Sequence, residues 1–225
     1  VALDPSSGTG GDNAAIQVLE LSSMTQIAEW CHNKTPVEGQ MKAMLDILMY
    51  LKECKCDQLY WSVENNSIGE AALVVIRDTG EETFPGDFLH EPKRIQGKKG
   101  RKGFHTTHKS KIEGCLFLKR LVEQDKIRLK SKMLVSELKN FVSRANSFAA
   151  KPGEYDDLVM SLATGCYVRD TALKFAQQGI DITRAALSNW SKSGAGVYTG
   201  GVNKKDAGWS QDMGEHGHQD LTWLL

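Results

Sequence analysis

The first 63 residues constrain the fold more than any other part of the chain. Three short apolar segments, 1–3, 14–21 and 24–32, are joined by connections too short for a crossover. Alternation marks the second, where Ile16 and Val18 precede Leu19 and Leu21. Tight turns fit at residues 6–11 and at Ser22-Ser23, so a meander of antiparallel neighbours is the economical arrangement. Pro36 then opens a helix to about Lys52, in which Val37, Met41, Met44, Leu45, Leu48 and Leu51 recur at three- and four-residue spacing. A helix of this kind is a crossover, so the apolar run 58–63 returns as a parallel strand. The order β-β-β-α-β is that of an RNase H-like (RuvC/integrase-type) α/β fold. Its sheet is mixed, with three antiparallel strands plus parallel strands, flanked by helices.

Beyond that unit the pattern is coarser. Residues 67–76 read as a helix, with Ser67 as N-cap and Glu70 at the capping-box spacing. Residues 82–111, with Pro85, Pro92 and four glycines, are the least regular part. Helix is expected over 106–124, an edge strand over 126–130 and helix again over 131–141. Pro152-Gly153 breaks the chain before a long helix, about 155–178, which carries Leu158, Leu162, Tyr167 and Leu173 and stops at Gly179. Seven glycines between residues 188 and 225, with scattered apolar anchors, mark a tail. The expected organisation is one domain over 1–180, with a basic insertion at about 82–111, and a Gly-rich C-terminal tail over 181–225. The sequence opens inside its first strand without a Met, as a segment cut from a longer polypeptide would. Five cysteines, an odd number with no CxxC pair, argue for reduced thiols rather than disulfides or structural zinc. No run approaches the roughly 18 apolar residues of a membrane span.

The 28 basic and 28 acidic residues cancel, but the signs are segregated. Residues 93–144 hold 16 Lys or Arg against 4 acids, a local charge of +12, and the rest of the chain carries −12. Such a split points to a polyanionic partner. Eight of the cations (Lys93, Arg94, Lys98, Lys99, Arg101, Lys102, Lys109 and Lys111) share one acid-free stretch. Glycines 97, 100 and 103 let that stretch follow a phosphate backbone, so it is expected to clamp double-stranded DNA without reading its sequence.

The acids fall where the expected strand order brings them together. Asp4 ends the first strand and Glu64 the fourth, which lies beside it. Asp156 and Asp157 begin the last long helix, whose first turn can approach both strand ends, and Asp12 can lean in from the glycine turn. Each alone has a plain explanation: Asp4-Pro5 starts a turn, Glu64 ends a strand in solvent, and Asp156-Asp157 suit a helix N-terminus. Their joint placement favours chemistry. Cutting a phosphodiester needs a nucleophilic water and a stabilised leaving oxygen, which two divalent ions about 4 Å apart supply. Mg²⁺ or Mn²⁺ takes hard carboxylate oxygens. Gathered carboxylates repel one another without a cation between them.

Five segments carry a resemblance. LDPSSGTGGD (residues 3–12), YWSVENN (60–66) and YDDLVMSL (155–162) look like the nuclease motifs of tailed-bacteriophage large terminases. GFHTTHKSK (103–111) and SELKNF (136–141) are similar to that family as well, and all five stand in the family's order. The resemblance implies a metal-dependent endonuclease that cuts concatemeric double-stranded viral DNA during genome packaging, using Mg²⁺ or Mn²⁺ and two ions during cleavage. It implies Asp4, Glu64 and one of Asp156 and Asp157 as metal ligands, with Asp12 as an accessory acid. It also implies an ATPase half of the same polypeptide, absent from this chain, and a portal and small terminase subunit as partners. The setting implied is the cytoplasm of the infected bacterial host, at the procapsid, with no membrane. Two other readings compete: a junction resolvase or transposase of the same fold, and a docking module for a portal or motor. Residues 97–103 (GKKGRKG) do not form a GxxxxGK[ST] phosphate loop, and no βαβ unit follows the 8–11 glycines to make a dinucleotide site. His105 and His108 read as loop residues, and Trp190, Trp209 and Trp223 as anchors of the tail or a docking surface.

Overall fold

Strand alternation sorts the N-terminal residues onto the two faces of one sheet. In the computed structural model, which describes residues 1–56, 58–90, 102–144 and 147–169 with isolated positions beyond, β1 (Ala2–Asp4), β2 (Ala14–Glu20) and β3 (Thr25–His32) run antiparallel. The crossover helix α1 (Val37–Glu53) then delivers β4 (Tyr60–Val63) parallel to β1. A fifth strand, β5 (Asp87–Phe88), pairs parallel to β4, giving the order β3-β2-β1-β4-β5. The mixed sheet expected from the sequence is present. β5 lay unread inside 82–111 because two residues between Gly86 and the following loop carry no periodicity. It is held instead by Phe88, whose ring stacks on Trp61 at 4.1 Å between centroids.

Leu3, Ile16, Trp61 and Val63 point to one side, where Met41, Met44 and Leu48 of α1 and Ala72 and Ile76 of α2 (Gly69–Thr79) cover them. Ala15 points to the other side and packs with α3 (His108–Glu123), α4 (Lys132–Asn140) and the helical residues 157–169, here α5. The helix α5 crosses β1 closely. Ser161 Oγ donates to Ala2 O at 2.9 Å, and a Cβ on Gly165 would stand 3.3 Å from the Ala2 Cβ.

Three boundaries differ from the sequence reading. Ser67 does not cap α2; Asn66, ahead of the helix, holds its start instead, with Oδ1 accepting Ile68 N at 3.0 Å and Gly69 N at 2.9 Å. The 126–130 segment makes one parallel bridge, Arg128 to Thr25, rather than a strand. Phe141 leaves α4 and opens a hairpin of β6 (Phe141–Arg144) and β7 (Ser147–Ala150), where a helix end was expected.

A buried polar network replaces the missing edge strand. Gln26 Nε2 donates to Gln17 Oε1 at 2.9 Å and Glu29 Oε2 at 3.0 Å, while Gln26 Oε1 accepts Lys130 N and Ser131 N, both at 3.0 Å. Ser131 Oγ donates to Glu29 Oε1 and accepts Leu134 N at 3.0 Å, so the residue that caps α4 is also bolted to β3.

The chain divides into units Val1–Leu173 and Lys174–Leu225. In the second, Ser210–Asp212 (β8) pairs antiparallel with His218–Asp220 (β9). Gly179 and Trp190, Trp209 and Trp223 lie outside the described residues. Among those described, no helix is long and apolar enough to cross a membrane.

Gly69 tests the packing at the strand end, because a Cβ there would collide with the Glu64 carbonyl oxygen. Gly69→Ala is expected to lower stability by roughly 1–3 kcal/mol, the cost of overpacking a rigid contact. Chemical denaturation would read this, and an unchanged midpoint would mean that the two backbones do not meet.

Candidate functional site

The site is built on the register of β1 against β4. Leu3 pairs with Val63, and Glu64 N donates to Leu3 O at 2.8 Å. The next residue on each strand is therefore an acid, and the two acids face the same side of the sheet. Glu64 is buried, and its Oε2 accepts Asn66 Nδ2 at 3.2 Å. Asp4 and Glu64 stand side by side at the ends of neighbouring parallel strands. The Asp4 carboxyl is held well above the ordinary carboxylate range. Burial is the main cause, followed by the adjacent Glu64 carboxyl and the charges of Asp157 and Asp156.

The helix α5 runs antiparallel to β1, and the lengths match. From Ser161, above Ala2, four residues back along the helix cover about 6 Å. From Ala2 two residues along the strand cover about 6.6 Å. Asp157 thus arrives over Asp4. Its Oδ2 accepts Asn13 N at 3.0 Å and Asn13 Nδ2 at 2.9 Å, which ties it to the residue before β2. Burial pushes the Asp157 carboxyl up, the two Asn13 bonds oppose this, and the charges of Asp156 and Asp12 add to it. Asp12 is exposed on the glycine loop but close enough to be felt.

Asp156 faces another way. Its Oδ2 accepts Ala150 N at 3.1 Å, closing the end of the β6–β7 hairpin, and its carbonyl accepts Met160 N at 2.8 Å, the first helical bond of α5. That places Asp156 at the N-cap, yet its side chain does not cap. Glu137 does so from α4: its Oε2 accepts Leu158 N at 2.9 Å and Val159 N at 3.2 Å. Burial raises the Glu137 carboxyl to about 7, against the pull of those two amides and with the charges of Asp157 and Asp156 adding to the rise.

Around the carboxylates the backbone is tightly drawn. Gln40 is fully buried. Its Oε1 accepts Ser6 N at 3.2 Å, and its Nε2 donates to Ser6 O at 2.8 Å and Thr35 O at 2.7 Å, pinning the loop after Asp4 to α1. Gly103, at φ +71°, passes so near Val63 O that a Cβ would stand 2.6 Å away.

The residues that flank the basic stretch are bonded to β4, close to Glu64. Leu89 N donates to Trp61 O at 2.8 Å on the approach, and Phe104 N donates to Val63 O at 2.9 Å on the return. Asn65 Nδ2 also holds Lys102 O at 2.9 Å. Lys93, Arg94, Lys98, Lys99 and Arg101 lie outside the described residues. Lys102 reaches Glu81 at 2.6 Å, and Lys109 and Lys111 belong to the first turn of α3, with Lys109 3.8 Å from Glu113. His105 Nδ1 donates to Asn65 O at 2.8 Å, which fixes the ring beside Glu64.

Asp4 and Glu64 thus lie together, the charges of Asp157 and Asp156 both reach Asp4, Asp12 reaches Asp157, and Asp156 also holds the hairpin. Among the described residues no three such side chains already enclose a point at ligand distance. The donors are nevertheless hard oxygens whose mutual repulsion a divalent cation relieves, so their chemistry fits Mg²⁺ or Mn²⁺. Asn13, Asn66, Gln40 and Glu137 escaped the sequence reading. Each is an ordinary polar residue whose role depends on a partner 2 to 144 positions away. Asn66 and Glu137 are marked only by standing in the YWSVENN and SELKNF segments.

No protein-family profile matches the chain. Solved structures do resemble it. The large terminase nuclease from thermophilic phage G20c with bound magnesium is 18% identical, over 73% of this chain and 78% of its own, with a TM-score of 0.54. The same nuclease with bound cobalt is 17% identical, over 73% and 78%, at 0.53. The Thermus phage P74-26 large terminase nuclease domain is 18% identical, over 72% and 75%, at 0.50. At these identities the likeness shows the shared fold, which is RNase H-like.

The raised carboxyls make stability depend on pH. A group whose folded pKa is raised favours the folded state below its unfolded value and loses that contribution as pH rises through the folded one. In chelator, Asp4→Asn and Glu137→Gln should each gain melting temperature on the parent chain as pH is raised from about 5 to about 8. Parallel melting profiles for all three proteins would mean that the repulsion is absent.

Proposed function

We propose that this chain is the nuclease domain of a terminase-type packaging protein, a divalent-metal-dependent endodeoxyribonuclease. The observation that carries the reading is the side-by-side placement of Asp4 and Glu64 at the ends of β1 and β4, within reach of the charge at the start of α5, with the +12 segment held beside β4. Asp4, Glu64 and Asp157 would hold the ion, and Asp12 is an accessory donor from the glycine loop. Of the two adjacent acids, Asp157 is assigned to the ion because it is tied to Asn13 beside the glycine loop that carries Asp12, whereas Asp156 is tied to the hairpin. The ion supplies charge neutralisation at the phosphate and a water acidified toward hydroxide. Two ions during cleavage suit the number of carboxylates available.

The protein's own groups do the rest. Asn13 and Asn66 orient Asp157 and Glu64 through their side-chain amides. Lys93, Arg94, Lys98, Lys99 and Arg101, with Lys102 at the base and Lys109 and Lys111 on α3, take backbone phosphates and bring the duplex to the carboxylates. Phosphate contacts carry no sequence information, so cutting has low sequence specificity. The substrate is double-stranded concatemeric viral DNA. The nuclease domain spans 1–180, and 181–225 is an appended tail. An ATPase half of the same polypeptide, a portal and a small subunit are the partners, in the cytoplasm of the infected host. The magnesium and cobalt bound by the similar G20c nuclease support a divalent ion.

With Mg²⁺ or Mn²⁺ the chain should nick and linearise ordinary plasmid, and chelator should stop it. Cutting confined to branched junctions would instead favour a resolvase. Asp4→Asn and Glu64→Gln should each lower cleavage roughly a hundredfold or more, as loss of a ligand exceeds the 10–100-fold typical of outer groups. Full activity in either would remove the ligand set. Neutralising Lys98, Lys99 and Arg101 together should flatten the dependence of log Kd on log salt by about one unit per lost contact. An unchanged slope would mean that these side chains do not meet the backbone.

A further inference from the structure

We propose that Glu137 is a positioning residue for the carboxylate cluster: it clamps the first turn of α5 and so fixes Asp157 against Asp4 and Glu64. The inference rests on the nuclease reading above. A helix leaves its first amides unbonded, and the side chain at the N-cap ordinarily satisfies the second and third of them. In α5 the N-cap residue is Asp156, but its carboxylate is committed to Ala150 N at 3.1 Å. The Leu158 and Val159 amides go instead to Glu137 Oε2, at 2.9 and 3.2 Å, across 21 and 22 positions of sequence.

The source of the cap matters. A cap from within the turn moves with the helix and fixes nothing outside it. A cap from α4 ties the start of α5 to a second body, and that body is itself anchored. Leu134 is fully buried, and Ser131 at the head of α4 bonds to Glu29 of β3. Rigidity therefore runs from the sheet through α4 to the turn that carries Asp157. Asn13 holds the Asp157 side chain from one side, and Glu137 holds its backbone from the other. An ion demanding near-octahedral geometry binds more tightly when its ligands are already in place.

The test compares Glu137→Gln, which keeps a carbonyl acceptor, with Glu137→Met, which keeps the length and loses it. Mn²⁺ binding to the 225-residue chain, without DNA, is read by calorimetry, and plasmid cleavage is followed separately. Glu137→Met should bind Mn²⁺ about tenfold or more weakly and lower kcat about 10–100-fold, with KM for duplex within about threefold of the parent. Glu137→Gln should stay near the parent in both. Parent-like Mn²⁺ affinity in Glu137→Met, or equal damage in the two variants, would overturn the inference. Hydrogen exchange of the Leu158 and Val159 amides in the unaltered chain covers a failure of Glu137→Met to fold: the proposal requires both to be protected, and free exchange would overturn it. If the parent chain neither binds Mn²⁺ nor cuts DNA, the nuclease reading falls and takes this inference with it. A parent that does both beside an unimpaired Glu137→Met removes the positioning role alone.

Discussion

The pairing of β1 with β4 is the constraint on which the site depends. Two strands that run parallel and in register present their ends together, and here Asp4 closes β1 while Glu64 directly follows β4. Nothing in either acid's own surroundings compels this. It follows from Leu3 and Val63 facing α1 and α2, which leaves the following positions to face the opposite way. A slip of one residue would turn Asp4 into the apolar layer and leave Glu64 alone. The hydrophobic side of the sheet thereby sets the geometry of the charged side.

The third acid arrives by a different route. The helix α5 lies antiparallel on β1 because small groups allow close approach, with Gly165 over Ala2 and Ser161 bonded to the Ala2 carbonyl. Its N-terminus must then overlie the C-terminal end of β1, where Asp4 stands. The helix dipole points its positive end at the same spot, which favours negative charge there. Burial and neighbouring charge raise the Asp4, Asp157 and Glu137 carboxyls. Stability is locally given up where charge is gathered, a pattern expected of sites that bind cations.

Much of this was legible before any coordinates. The strand meander and crossover followed from connection lengths and from the spacing of Met41, Met44 and Leu48, which are strong periodic signals. The neighbourhood of Asp4 and Glu64 followed from strand order. What escaped were features without period. The strand β5 is two residues long, and the hairpin after α4 begins at Phe141, which reads equally well as a last helical residue. The segment 126–130 alternates like a strand, but the Gln26 side chain takes the Lys130 and Ser131 amides where a ladder would continue. Asp156 and Asp157 could not be told apart in sequence because adjacent residues on a helix differ only in direction, and direction is set by Ala150 and Asn13, 6 and 144 positions away. Glu137 was invisible as a cap because its partners lie on another helix.

The flanks of the sheet carry a final implication. Its β5 side ends in two residues, and its β3 side is blocked at Thr25 by Arg128. Stunted and obstructed margins are poor templates for a foreign strand, which is how many natural sheets resist self-association. The acids stand away from both margins, at the rim where β1 and β4 terminate.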